Sequence, residues 1–290
     1  MRSPACLCPC LCLLLATLYS FDSLCAATIY VDNRVGSDAF DGQSAKPLES
    51  IVGPLRSLRA AMQKAGPGDT IELANNGTPY FGSATLAGPR HSALGGSRLT
   101  IDGHGAVLDG SQPVPSHAWK EVEGRLWKMT PWRKGHYQLV LDGNPVPEQA
   151  SQAGTEGLQE LPEGHWSAVG GSIYYRGAAG EDPRERPFRF ARDSVGLTLY
   201  GVRGVTIRNL SLRHFRLDGI SLPNDCRDVL LENVRASANA RAGLFAGGSS
   251  QVFVRGAEIS DNREHQVLIS GLAVVRLVDS ELSEPPTIKD

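Results

Sequence analysis

Five polar side chains in the last third of the chain could carry proton chemistry: His214, Asp218, Arg241, Glu264 and His265. Their spacing matters because the sequence around them repeats. Val205, Val229, Val252 and Val275 open equivalent stretches 24, 23 and 23 residues apart. If each period is one coil of a stack, His214 lies over Ala238 and Asp261, Leu217 over Arg241 and Glu264, and Asp218 over Ala242 and His265. Stacked strands sit about 4.8 Å apart, so Asp218, Arg241, Glu264 and His265 share one face within three coils. A histidine there can take or give a proton near neutral pH, and a paired carboxylate can serve as acid or base. Arg241, with Arg216 or Arg263, could neutralise an anionic group. Asp218, Asp225 and Glu264 are candidate ligands for calcium, a hard cation that wants oxygen donors. The competing reading is a solvated face with ordinary surface ion pairs.

The elements that would position these side chains follow from the same period. Val205-Thr206-Ile207-Arg208-Asn209-Leu210 recurs as Val229 to Val234, Val252 to Ala257 and Val275 to Ser280. In step with it, Gly219-Ile220-Ser221-Leu222 recurs as Gly243-Leu244-Phe245-Ala246 and as Gln266-Val267-Leu268-Ile269. Each period thus holds two short strands of alternating apolar residues, separated by Gly, Asn or Asp turns. Such a unit cannot bury its own apolar face and must stack on its neighbours. The expected fold class is all-β, a right-handed parallel β-helix. Asn209 and Asn233 are expected to be stacked turn residues whose amides bond between coils.

Upstream, Pro54-Leu55-Arg56-Ser57-Leu58 to Ala65 has helical periodicity, bracketed by Pro54 and by Gly66-Pro67-Gly68, and predicts one amphipathic helix closing the open end of the solenoid. Asp69 to Leu73 and Leu99 to Gly110 predict the first coils. Between Ser111 and Asp193 the repeat stops. That stretch holds all four tryptophans, Trp119, Trp127, Trp132 and Trp166, with strand-like pieces at 138–142 and 172–176, and predicts a small antiparallel β insertion. Its tryptophans either fill the insertion's own core or stack on sugar rings. Asp32, Asp38 and Asp41, in a polar loop, are either turn-forming carboxylates or a second set of calcium ligands. The expected division is 1–27 leader, 28–110 cap and first coils, 111–193 insertion, and 194–290 the later coils.

The leader reading rests on Arg2 followed by the apolar run through Leu13-Leu14-Leu15-Ala16 and on the small residues Ala26-Ala27. It predicts a secreted, periplasmic or extracellular protein with no integral membrane segment in the mature chain. Five of the six cysteines fall in that leader, which leaves Cys226 without a disulfide partner. Asn76-Gly77-Thr78 is a glycosylation sequon that matters only in a eukaryotic secretory host. With 29 basic and 31 acidic residues and no basic tract, the chain lacks the cationic footprint that a nucleic-acid partner requires.

Several segments resemble the secreted right-handed parallel β-helix superfamily with pectate-lyase-like folds. Tyr30-Val31-Asp32, the Gly36-Ser37-Asp38 to Asp41-Gly42 loop, Pro54 to Leu58 and Ala65 to Ile71 are similar to its entry segment and capping helix. Leu141-Asp142-Gly143, His165-Trp166 and Ile173 to Arg176 resemble an accessory β unit of its multi-domain members. The resemblance implies a polysaccharide or oligosaccharide partner. It spans lyases, glycoside hydrolases, epimerases and noncatalytic surface proteins, so three readings stand. A lyase would use Arg241 to neutralise a uronate, His214 or His265 to move protons, and calcium on Asp218, Asp225 or Glu264 as an aid. An inverting hydrolase would use Asp218 and Glu264, about 9 to 10 Å apart at two coils' separation. A noncatalytic solenoid would bind glycan without turnover.

Overall fold

The computed structural model describes residues 26–93, 96–150 and 154–289. Residues 1–25, which include nearly all of the expected leader and its five cysteines, lie outside the described residues. The chain winds into a right-handed parallel β-helix built on two long sheets. One sheet runs from Thr28–Val31 through Thr70–Leu73, Leu99–Asp109, Arg203–Arg213, Arg227–Glu232 and Gln251–Arg255 to Val274–Val278, with shorter strands beyond the bend. The other contains Ala84–Ala87, Val195–Tyr200, Asp218–Asn224, Ala242–Ala246, His265–Ser270 and Thr287–Lys289. Every pairing within both sheets is parallel.

The register follows the sequence period. Val205 pairs with Val229, Val229 with Val252 and Val252 with Val275. In the second sheet Ile220 pairs with Leu244 and Leu244 with Val267, while Asp218 aligns with Ala242 and Ala242 with His265. Like residues therefore stack into columns, and Ile207, Leu231, Val254, Leu222, Leu244 and Val267 are almost fully buried in one continuous core. Each such side chain contributes roughly 1.5–3 kcal/mol by leaving water.

The bend in the first sheet needs a left-handed residue, and Asn209, Asn233, Gly256 and Asp279 supply it with φ of 53°, 50°, 61° and 48°. The Asn233 amide donates to Asn209 Oδ1 at 3.4 Å and that of Asn209 to Asp102 Oδ1 at 3.0 Å. Inside the solenoid a second ladder runs that the repeat does not announce: Asn239 Nδ2 donates to Asn262 Oδ1 at 2.8 Å, and Asn262 Nδ2 to Gln266 Oε1 at 2.9 Å. Gly243 faces that ladder, and a Cβ there would stand 2.3 Å from Ile259 Cγ2 and 2.7 Å from Asn262 Nδ2. Only glycine fits the approach.

The capping helix is shorter than its periodicity suggests, spanning Leu58–Lys64. Ser57 is its N-cap, with the hydroxyl accepting from the Ala60 amide at 3.1 Å. Residues 54–57 stay extended because fully buried Leu55 bridges to Val31 and continues the β core. Leu58, Ala61 and Met62 close the first coil. Asp32, Asp38 and Asp41 each tie loop backbone: Asp38 accepts from the Arg56 and Ser57 amides, Asp41 from Gln43 and Gly53, and Asp32 from Arg34. Turn formation thus accounts for these carboxylates, and no group of three or more metal-ligating side chains is assembled among the described residues.

The insertion forms two four-stranded antiparallel sheets, one of Ser111–Pro113, Leu139–Leu141, Asn144–Pro145 and Arg189–Ala191, the other of Lys120–Glu123, Leu126–Met129, Trp166–Val169 and Ser172–Arg176. Three tryptophans, Trp119, Trp127 and Trp166, fill its core with Tyr175 and Phe188. Trp132 does not, and is 96% exposed.

Candidate functional site

The outer face of the second sheet, where the insertion leans on the solenoid, brings most of the expected site residues together. Gly219 and Ile220 both face the interior, which breaks the strict alternation of the strand: Ile220 is in the core, and a Cβ on Gly219 would lie within 3.3 Å of the Asn239 and Ala236 side chains. Asp218 beside them faces outward, beneath Arg241 of the next coil. The guanidinium holds the carboxylate through two bonds, Nε to Oδ1 at 2.8 Å and Nη2 to Oδ2 at 2.5 Å, and lies 5.0 Å over the Phe245 ring. Asp218 has no exposed surface. Burial pushes its carboxyl above the usual range, and the Arg241 and His136 charges only partly offset this. The carboxylate in turn raises Arg241, which stays charged.

Around this pair stand more open groups. Glu264, one coil on from Arg241, bonds through Oε1 to Nδ1 of His136 at 3.1 Å. His136 comes from the insertion, in the loop after Met129. His265 Nδ1 lies 3.1 Å from Thr287 Oγ1. Burial lowers its pKa, helped by the Lys289 charge, so that ring is neutral at pH 7. Arg216 donates through Nη1 to the carbonyls of Lys134 and Gly135 and through Nη2 to Ser194 Oγ. Arg263 donates to Tyr137 O and to Glu148 Oε1, and stacks on Trp166 at 6.0 Å. These contacts dock the insertion against the coils and complete the site.

Two expected members stand elsewhere. His214 occupies a left-handed turn position, φ 59°, stacked with Ala238 and Asp261. Its ring turns away from Asp218 to Asp109, with Nδ1 3.1 Å from Oδ2, and is buried. Asp225 follows the far end of strand Asp218–Asn224 and pairs with Arg227. The calcium set Asp218, Asp225 and Glu264 therefore does not converge: a whole strand separates Asp218 from Asp225, and Arg241 already neutralises Asp218. Nor does Asp218 face a substrate as the hydrolase pair requires, because it is fully covered. Arg241 is committed to Asp218, so it is not the carboxylate-neutralising group that the lyase reading assigned to it.

His136, Thr287, Ser194 and Glu148 were missed in the sequence. His136 and Glu148 belong to the insertion, whose docking no period encodes, and Ser194 lies just past its end. Thr287 lies outside the apolar alternation. Its one signal was register, since it aligns with Leu268.

The Asp109 cluster is structural. Burial raises its carboxyl, but His214 beside it and the Ser111 hydroxyl and amide outweigh this and hold the pKa at about 2. A folded value below the unfolded one near 3.9 gives stability that is full above the unfolded pKa and is lost as pH falls through about 2. The linkage amounts to about 2 kcal/mol. Asp109→Asn should remove the acid-sensitive component between pH 4 and 2 in thermal melts. A variant with the same acid profile as the parent would locate that component elsewhere.

Wider concavities occur away from this cluster. A polar trough of about 640 Å³ follows the bend past Asn233, Arg235 and Glu258, but its Arg235 and Glu258 pair with each other at 2.9 Å. His136, Glu264 and His265 gather on the outer face of the second sheet beside the Asp218–Arg241 pair, which makes that face the better candidate.

The architecture defines the class: the family model described as right handed beta helix region matches residues 189–283. Among solved structures, the chain is similar to "The complex structure of XylC with xylose", at 13% identity over 90% of this chain and 65% of that one, with a TM-score of 0.54. It is similar also to a structure titled "Glycoside hydrolase", at 12% identity over 85% of this chain and 68% of that one, with a TM-score of 0.62. This chain thus spans about two thirds of each. A comparison with curated protein sequences found no match.

Proposed function

We propose that the chain is a secreted, polysaccharide-active β-helix protein that cleaves an acidic glycan by β-elimination on the outer face of the second sheet. The reading is supported above all by the convergence of His265, His136 and Glu264 on one face beside the buried Asp218–Arg241 pair. The sugar-linked titles of the structural neighbours agree with it, and the leader-like N-terminus supports secretion. In the proposed step a base removes the proton α to the uronate carboxylate. The electrons form a carbon–carbon double bond, the glycosidic bond to the leaving oxygen breaks, and that oxygen takes a proton from an acid. His265, neutral at pH 7, suits the base, and the hydrogen-bonded Glu264–His136 pair suits the acid. Asp218 and Arg241 hold the coils beneath them in place. No step uses calcium.

The test is incubation with alginate, pectate, glycosaminoglycan and neutral polysaccharides, followed by mass analysis of products. Elimination leaves fragments lighter by one water than hydrolysis does, with an unsaturated end. Glu264→Gln should lower kcat about 100-fold with the fold intact, in line with loss of a positioned proton donor. Unchanged turnover would remove Glu264 from the step, and hydrolytic products would replace elimination with hydrolysis. The second reading, glycan binding without turnover, is favoured by the burial of Asp218 and its pairing with Arg241. Intact chains across the whole panel would establish it in place of catalysis.

A further inference from the structure

Trp132 is the one large aromatic in the insertion that its core does not use, and at 96% exposed it contrasts with Trp119, Trp127 and Trp166, at 4%, 5% and 1%. A single exposed apolar side chain is ordinary on a protein surface, so this indole gains its meaning from what holds it and what stands beside it. The loop that carries it is tied down on both sides. Pro131 before it is buried, the Lys134 and Gly135 carbonyls accept from Arg216, Lys134 Nζ donates to Gly171 O at 2.7 Å, and His136 is held by Glu264. Trp132 is thus presented on a fixed loop four residues from His136.

The charges beside it are equally distinctive. Arg133 and Arg216 converge on one hydroxyl, with Arg133 Nη1 3.5 Å and Arg216 Nη2 3.1 Å from Ser194 Oγ. Burial and the charge of Arg133 both depress Arg216. Several solenoid arginines are matched with acids, Arg208 with Asp102, Arg213 with Asp109, Arg241 with Asp218 and Arg255 with Glu232. Among the described residues, Arg133, Lys134 and Arg216 have no such carboxylate partner. Like charges are gathered here without a paired carboxylate among the described residues, next to an exposed ring and to His136 and Glu264.

We propose that Trp132, with Arg133, Lys134 and Arg216, forms a binding platform for an anionic sugar residue, the indole stacking on the pyranose face and the cations taking its carboxylate or sulfate. The inference rests on the glycan reading above and names the residues that would confer preference for an acidic chain. An apolar ring gives stacking without charge preference, and guanidinium groups supply bidentate contacts to carboxylate or sulfate. The chain's near-neutral balance, with no other concentrated basic tract, favours a single acidic residue at this platform over a polyanion tracking the surface.

Because the other three tryptophans are buried, iodide quenching of fluorescence reports mainly on Trp132. Titration of the whole protein with hexamers of galacturonate and of mannuronate should shield it from iodide, and neutral xylohexaose should not. By titration calorimetry, which does not need the indole as reporter, Trp132→Ala should weaken hexauronate binding about tenfold, and Trp132→Phe should restore part of it. Arg133→Gln with Lys134→Gln should weaken the hexauronates while leaving xylohexaose unchanged. Equal binding of acidic and neutral hexamers, or tighter binding of a single-stranded oligonucleotide at the same salt, would overturn the proposal. Titrations completed before unsaturated ends accumulate, as checked by mass analysis, read binding apart from turnover, so it stands or falls separately from the elimination step. If the protein cleaves uronates while Trp132→Ala leaves KM for acidic and neutral chains unaltered, the function holds and the platform does not.

Discussion

Arg241→Ala is expected to cost about 3–5 kcal/mol of folding stability, a large share of what a domain of this kind has to lose. The reason is asymmetry. Asp218 is fully buried and its two oxygens are held by Nε and Nη2 of Arg241. Deleting the guanidinium leaves a buried carboxylate without its counter-charge, and also strips the cover from the Phe245 ring. The pH dependence carries a definite sign. Asp218 is already raised above its unfolded value, so the folded state binds the proton more readily than the unfolded one, and ionisation of Asp218 costs stability as pH rises through its folded pKa. Loss of Arg241 raises that pKa further. The deficit of Arg241→Ala should therefore be greatest at neutral pH and shrink as the solution is acidified. Urea melts at pH 7 and 5 would measure it. Asp218→Asn in the Arg241→Ala background should recover much of the loss, because a neutral amide is cheaper to bury unpaired. A double variant as unstable as Arg241→Ala would show that the cost lies in lost packing rather than stranded charge.

The second large effect is expected inside the solenoid, at Asn262. Its Oδ1 accepts from Asn239 N at 3.1 Å and Asn239 Nδ2 at 2.8 Å, while its own Nδ2 donates to Ala236 O at 2.9 Å and to Gln266 Oε1. Asn239 in turn accepts from Phe215 N at 3.1 Å. Asn239, Asn262 and Gln266 are all buried. Asn262→Ala removes the acceptor for two buried N–H groups and leaves a gap between coils, so about 3 kcal/mol should be lost. Asn233→Gly, which keeps the left-handed bend at φ 50° but removes the 3.4 Å bond to Asn209 in the exposed ladder, should cost less than about 1 kcal/mol, because water can replace the lost partner there. Denaturant melts of the two variants side by side make the comparison. Equal losses would mean that burial does not set the value of the amide ladders. Asn239→Ala combined with Asn262→Ala should fall short of the sum of the singles, because the two amides share one bond network.

The sequence by itself determined the solenoid and its register. A parallel coil places each residue one period from its neighbour, so a repeat of apolar positions maps directly onto stacked columns; Val205, Val229, Val252 and Val275 align in space as they do in the chain. The same arithmetic put Asp218 in line with Ala242 and His265, and so brought Arg241 and Glu264, each one residue ahead of that column, to the same face. Turn chemistry likewise gave Asn209 and Asn233 at the bend, where φ is positive. Direction within a turn is not periodic, however. His214 sits in its expected column but turns to Asp109 because its backbone is left-handed and the neighbouring coil offers a buried carboxylate.

Tertiary structure alone decided the chemistry of the face. Whether Arg241 meets a substrate or Asp218 depends on how its side chain turns between neighbouring coils, and the insertion's return onto the coils is a docking of irregular loops with no repeat to announce it. That docking supplies His136 to Glu264, carbonyls to Arg216, and Glu148 and Tyr137 O to Arg263. It also separates the tryptophans. Three vanish into the insertion's core, and Trp132, indistinguishable from them by residue type, is left on the surface because its loop is pinned to the solenoid instead of folded inward. Local pattern fixes which side chains stack; only the packing of two units against each other fixes which of them lose water, which are neutralised, and which remain open to a ligand.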